Sequence, residues 1–245
     1  MSIHDQLMCH VFLLDDVEFL LWRIPLIEKF FSLEKQTLMN SSFPTTLVIG
    51  TTNLAKQQEI SVLLDPYKIK CKSLRDFTSA VSVAETGSTF AENAALKAVQ
   101  QAQALNHWVL AEDSGLVVDA IEGSPGVYSA RFAGPQATDA ENNTLLIERL
   151  AHTPLARRTA YYACHATLAS PDGTIEATAE GRCYGHIAKS ARGESGFGYD
   201  PYFIISEYHQ TFGELSQAVK SLISHRGRAI RSIIPMIVKS LKTLA

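Results

Sequence analysis

Glu112-Asp113-Ser114-Gly115 sets two carboxylates, a hydroxyl and a glycine between the apolar runs Trp108–Ala111 and Leu116–Val118. An apolar strand that ends in carboxylates places them where a buried sheet edge opens, and such rims are where ligands bind in α/β proteins. The same four residues also read as a tight turn, because Asp and Ser bond to nearby backbone and Gly tolerates positive φ. Three other groups of residues carry comparable chemistry. Thr51-Thr52-Asn53-Leu54-Ala55-Lys56 lies between a short apolar strand, Leu47–Gly50, and a helical pattern through Ile60, Leu63 and Leu64. A small polar turn entering a helix aims backbone N–H groups and the helix dipole at an anion, and Lys56 adds a full charge. The turn is not a GxxxxGK[ST] loop, and an ordinary β–turn–α connection capped near Asn53 fits it as well. The other two groups are the aromatic loop Gly196–Pro201 and the basic cluster of Lys220, His225 and Arg226.

Carboxylates such as Glu85 and Asp113 suit a hard cation such as Mg²⁺, which keeps waters and bridges phosphates. Lys56, Lys220 and Arg226 suit the phosphates themselves. The Phe197 ring can stack on a base. Together these groups describe a nucleoside triphosphate site.

The elements that must position them follow from pattern. Thr89 and Glu92 form a capping box for an alanine-rich helix, Phe90 to Leu105, so Glu92 has a structural duty while Glu85 has none. Thr138 and Glu141 form another for a helix ending near Leu150. Thr159–Ala169 and Thr174–Ala179 read as a hairpin joined by Pro171-Asp172-Gly173, with a third strand near Arg182–Ile187. Helical patterns flank Ser224-His225-Arg226-Gly227, and the last, from about Ala229, contains Pro235, which should kink it. Alternating helices and strands followed by a meander predict an α/β domain with a mixed sheet, flanked by helices and opened by a cleft.

The chain of 245 residues is long enough to bury a substantial core. Its formal net charge of −3 leaves no bulk basic surface for nucleic acid or membrane. Cys9, Cys71, Cys164 and Cys183 form no CxxC pair, which suits a reducing, cytoplasmic compartment. Cys183 and His186 have a metal-like spacing without a second pair, so two unrelated strand residues are expected. Residues 1–44 read as an N-terminal extension and 45–245 as the folded domain. The extension holds apolar runs broken by Asp15, Asp16 and Glu18, with neither a membrane-length span nor a signal-peptide pattern.

The segments Thr51–Lys56, Glu85–Asn93, Ala111–Gly134, Gly196–Pro201 and Ser224–Gly227 resemble, in one register, the inosine triphosphate pyrophosphatases, a family also described as dITP/XTP pyrophosphatases. The resemblance runs from about Leu47 onward. It implies an elongated α/β fold with a central nucleotide cleft, a homodimer, Mg²⁺ dependence, and hydrolysis of ITP, dITP and XTP to the monophosphate and pyrophosphate. Carried over by position, Thr51, Thr52, Asn53, Leu54, Ala55 and Lys56 would hold the triphosphate. Glu85 and Asp113 would hold the metal, and Asp113 would be the general base. Ser114 would contact substrate; Phe197, Gly198, Tyr199 and Asp200 would frame the base; Lys220, His225 and Arg226 would complete the pocket. Thr52 stands where Gly is usual, Ala55 where Gly or Lys is favoured, and Glu112 where Asp is usual.

Three other functions compete. A Maf-like nucleotide pyrophosphatase would share the chemistry with a different base. A nucleotide-binding sensor would lack Asp113 or Lys56, and both are present. A serine hydrolase would need GxSxG, which Gly193-Glu194-Ser195-Gly196-Phe197 fails at its last position. The extension carries no catalytic residue type in a usable pattern, and Met39 lies just ahead of the first strand. A chain beginning at Met39 is therefore expected to fold, dimerise and hydrolyse ITP like the full chain, melting within a few degrees of it. Aggregation or inactivity of the shortened chain would place the segment in the core or the dimer contact.

Overall fold

The computed structural model describes residues 46–242, so the expected extension and Met39 lie outside the described residues. The first strand, β1 (Leu47–Ile49), is fully buried and pairs in parallel with β2 (Cys71–Ser73) and with β3 (Trp108–Val118). Helix α1 (Leu54–Leu64) joins β1 to β2, and helix α2 (Phe90–Leu105) packs on β3. The sheet continues antiparallel through β4 (Thr159–Ala169), β5 (Ile175–Ile187), β6 (Phe203–Ile205) and β7 (Gln210–Thr211). Strand order is β2-β1-β3-β4-β5-β6-β7, a seven-stranded mixed sheet among the described residues. Helices α3 (Asp139–Arg149), α4 (Gln217–Ile223) and α5 (His225–Lys242) complete the domain.

The capping boxes form as the sequence predicts. Thr89 Oγ1 accepts the Glu92 N–H at 3.1 Å while Glu92 Oε2 takes the Ser88 and Thr89 N–H groups, and Thr138 with Glu141 repeats the arrangement. Each satisfies N–H groups that a helix start leaves without partners. On α2 the buried residues Ala94, Ala98 and Ala102 recur one turn apart, so small side chains let the helix lie close to the sheet. At the β4–β5 turn, Gly173 adopts φ 89° and Asp172 Oδ1 accepts the Thr174 N–H at 3.0 Å.

Three expectations change. Glu112–Gly115 is not a turn: β3 runs unbroken from Trp108 to Val118, with Glu112 opposite Ala166 and Asp113 opposite His165 on β4. Pairing along the whole of β4 outweighs the local turn preference of Asp-Ser-Gly. The third meander strand is likewise the far half of β5, which continues through Gly181 to Ile187. The last helix begins at His225 rather than near Ala229, so His225 and Arg226 form its first turn, and it runs past Pro235 to Lys242.

The edge of β3 is uncovered where its carboxylates lie. Its pairing with β1 ends at Leu110, where Gly50 N–H donates to the Leu110 carbonyl at 2.8 Å. Cover resumes at Leu116, whose N–H donates to Ser129 Oγ at 2.9 Å. A Cβ on Gly115 would stand 2.3 Å from that Oγ, so only glycine lets the Gly126–Arg131 segment close on the strand.

Glycine also sets the start of α5. A Cβ on Gly181 of β5 would lie 2.2 Å from the His225 carbonyl oxygen and 2.5 Å from the Ala229 nitrogen. Both are backbone atoms and cannot swing aside. Gly181→Ala should therefore destabilise the fold by about 1–3 kcal/mol, the usual range for overpacking. Chemical denaturation at equilibrium measures it; an unchanged midpoint would show that α5 has room to move.

Candidate active site

A cleft opens beside the uncovered stretch of β3, lined by Asn53 and Lys56 at the start of α1, by Phe197 of the aromatic loop, and by Lys220, His225 and Arg226. Ser114 of β3 lines it too. The sequence-predicted residues divide accordingly. Asn53 caps α1, its Oδ1 accepting the Lys56 N–H at 3.1 Å, and these two face the cleft. Thr51 Oγ1 accepts the Asn53 N–H, and the Thr52 carbonyl accepts from Arg75 at 3.5 Å. Leu54 is 56% exposed, and Ala55 borders a second cavity that Phe197 also lines. From the aromatic loop, Phe197, Gly198, Tyr199 and Asp200 all reach the cleft wall.

Glu85 and Asp113 converge. Glu85 Oε1 lies 2.8 Å and Asp113 Oδ1 2.7 Å from the same ammonium, Lys97 Nζ on α2. Glu85 also meets Arg131 at 3.3 Å, so it has partners that the sequence alone did not reveal. Asn93 Nδ2 donates to Asp113 Oδ2 at 3.4 Å, while its Oδ1 accepts the Gly87 N–H. Burial lifts the Asp113 carboxyl above the ordinary aspartate range, and the nearby Lys97 only partly opposes it. A raised carboxylate is a stronger base than a free one. Two carboxylates meeting at one cationic point fit a divalent cation that takes its remaining ligands from water and phosphate. Among the described residues, no group of three or more His, Cys, Asp or Glu side chains forms a fuller cage, at Cys183 and His186 or elsewhere.

Alternating ion pairs surround Lys220 and Arg226. Glu59 on α1 touches Arg226 through one oxygen and Lys220, at 2.9 Å, through the other. Lys220 also meets Asp200 Oδ2 at 2.7 Å, and Asp200 accepts the Phe197 N–H at 2.9 Å, which fixes the aromatic loop. The Lys220 ammonium stands 4.8 Å from the Phe197 ring centroid. Arg226 Nη2 donates to Ser114 Oγ at 2.9 Å, and Glu112 lies between Lys56, at 2.9 Å, and Arg226, at 3.6 Å. Burial and the adjacent Arg226 guanidinium hold His225 well below the usual imidazole range. Its ring stacks on Tyr162 at 4.6 Å. Arg226 Nε and His225 Nδ1 are buried and make no hydrogen bond within the described residues.

Lys97 and Glu59 belong to the site although neither was singled out from the sequence. Lys97 lies one helical turn after Asn93, and Glu59 three residues after Lys56, so each continues a polar stripe on a helix face that is otherwise buried. Burial alone would raise the Glu59 carboxyl, yet Arg226 and Lys220 hold it below the ordinary glutamate range. A carboxyl depressed in the folded state adds stability above its unfolded value, and that stability is lost as pH falls through the folded value. Glu59→Gln should therefore lower stability at neutral pH by about 3 kcal/mol, since it leaves buried cations short of an anion, and should flatten the acid limb. Denaturation midpoints taken between neutral and acidic pH test both parts; parallel curves for the two proteins would refute the pairing.

The sequence profile of the Ham1 family matches residues 47–236. A dITP/XTP pyrophosphatase of Rhodopirellula baltica is 48% identical over 201 residues, covering 82% of this chain and 96% of that protein. Another, from an Exiguobacterium species, is 46% identical over 196 residues, 80% of this chain and 98% of its own length. Among solved structures, a HAM1 protein from Coxiella burnetii superimposes with a TM-score of 0.72 at 36% identity, covering 80% of this chain and 99% of that one. The Staphylococcus aureus Ham1 protein gives 0.69 at 36% identity, with 82% and 100% covered. On sequence and fold alike, the chain belongs to the Ham1 family.

Proposed function

We propose that the chain hydrolyses inosine- and xanthosine-type triphosphates (ITP, dITP and XTP) to the monophosphate and pyrophosphate, with Asp113 as general base and Mg²⁺ held by Glu85 and Asp113. The observation that carries this reading is the convergence of Glu85 and Asp113 on one cationic point at the open edge of β3, beside the capped start of α1. The dITP/XTP pyrophosphatase relatives support it.

Lys56 and the N-terminus of α1 bind the triphosphate. Asp113 takes a proton from the attacking water as its oxygen bonds to the α-phosphorus, and the bond to the α–β bridging oxygen breaks to release pyrophosphate. A divalent cation held by Glu85 and Asp113 would neutralise phosphate charge and lower the cost of deprotonating water. Lys97 holds the two carboxylates at one point and offsets their mutual repulsion. Phe197 offers its face to the base. Hypoxanthine and xanthine present a 6-keto acceptor to the unpartnered Arg226 Nε, where adenine presents an amino donor. A buried donor left without a partner is how a site rejects a near-isostere. A homodimer and a cytoplasmic location complete the reading. Among the described residues, no helix is long and apolar enough to cross a membrane.

Pyrophosphate release from ITP, XTP, GTP, ATP and TTP with Mg²⁺ tests the substrate class. ITP and XTP should exceed ATP by roughly 100-fold or more in kcat/KM. Comparable ATP turnover would sink the assignment in favour of a broader or Maf-like pyrophosphatase. Asp113→Asn should abolish turnover while nucleotide binding, followed by calorimetry, persists. A rate within about tenfold of the unmutated protein would remove Asp113 as the base.

A further inference from the structure

Charges along the cleft floor alternate in sign. Lys56 meets Glu112 at 2.9 Å, Glu112 meets Arg226 at 3.6 Å, Arg226 contacts Glu59, and Glu59 meets Lys220 at 2.9 Å. Lys220 then meets Asp200 at 2.7 Å. The series runs from the start of α1 to the aromatic loop. Glu59, Lys220 and Asp200 are links between Arg226 and the aromatic loop. Glu112 is different, because among the described ion pairs it alone joins Lys56 to Arg226.

Its surroundings exclude contact with a ligand. The Glu112 side chain is 0% exposed, and Cys164 Sγ donates to its Oε2 at 3.4 Å from beneath. Arg226 grips β3 at two residues of one face, Glu112 and Ser114, which stand two apart on the strand. Each carboxylate oxygen thus has its own cation, and each cation lines the cleft. A carboxylate fixed between two cations in a poorly screened interior transmits the position of one to the other. When Lys56 turns toward a triphosphate, Glu112 is left to Arg226. When a base draws Arg226, Glu112 is left to Lys56.

We propose that Glu112 is a positioning residue that couples base recognition at Arg226 to triphosphate placement at Lys56. The inference rests on the proposed nucleotide pyrophosphatase activity and adds to it a route by which the base affects turnover, beyond binding. A correct base then raises kcat as well as lowering KM.

The test measures kcat and KM for ITP and ATP in the unmutated protein, Glu112→Gln, Lys56→Met and the double variant. Gln keeps the shape and removes the charge. The ITP-to-ATP ratio of kcat should fall about tenfold in Glu112→Gln and no further in the double variant, the non-additivity expected of one coupled unit. A ratio unchanged in Glu112→Gln, or independent multiplicative losses in the double variant, would overturn the coupling. A purely structural role would lower both rates alike and leave the ratio intact. The unmutated protein supplies a second arm that requires no variant to fold. With Mg²⁺ present, IMP should tighten pyrophosphate binding relative to AMP by about tenfold in calorimetry, since coupling between sites is reciprocal. Equal effects of IMP and AMP, whose phosphates are identical, would refute it. Absence of ITP turnover in the unmutated protein removes the proposed activity and this inference with it, whereas normal turnover with an unchanged ratio removes this inference alone.

Discussion

An uncovered strand edge governs the molecule. β1 stops at Ile49, and the Gly126–Arg131 segment reaches β3 only at Gly115 and Leu116, so between them β3 has no strand neighbour on that side. In a sheet interior, successive side chains point to opposite faces and could not serve one ligand. At a free edge they can. Asp113 faces Lys97 and Asn93 of α2. Glu112 and Ser114 face Arg226 of α5. Ser114 and Arg226 line the cleft, whereas Asp113, Lys97 and Asn93 meet next to it, on the neighbouring strand residue. The short first strand thus leaves room for side chains of α2 and α5 to meet successive residues of β3.

Much of this arrangement is legible in the sequence, and what is legible is local. The starts of α2 and α3 follow from Thr-x-x-Glu spacing, because a capping box is complete within four residues. The β4–β5 turn follows from Pro171-Asp172-Gly173 for the same reason. What escapes is decided by distant pairing. Glu112–Gly115 has turn chemistry and strand structure, since only the register with β4 fixes it. Glu59 looks like an ordinary helix residue until Lys220 and Arg226, remote in sequence, close on it. Glu85 looks free of duty because Lys97 and Arg131 approach it from other elements.

The departures from the resembled pattern have distinct physical standing. Thr52 is exposed and adds a side chain near the α1 start without closing the cleft. Ala55 borders the second cavity rather than the main opening. Glu112, by contrast, is wholly interior and spans the distance between two cations. Its extra methylene is spent inside the protein, where reach matters most.

The matched charges carry a kinetic consequence. Lys56, Arg226 and Lys220 are offset by Glu112, Glu59 and Asp200, as Lys97 and Arg131 are by Asp113 and Glu85. Opposite charges a few ångströms apart largely cancel beyond the cleft mouth, and the chain as a whole is mildly anionic at −3. A polyanionic nucleotide therefore arrives with little long-range guidance, at an association rate set by diffusion and orientation and nearly indifferent to ionic strength. An anion that enters the cleft meets cations whose charge the internal carboxylates already offset.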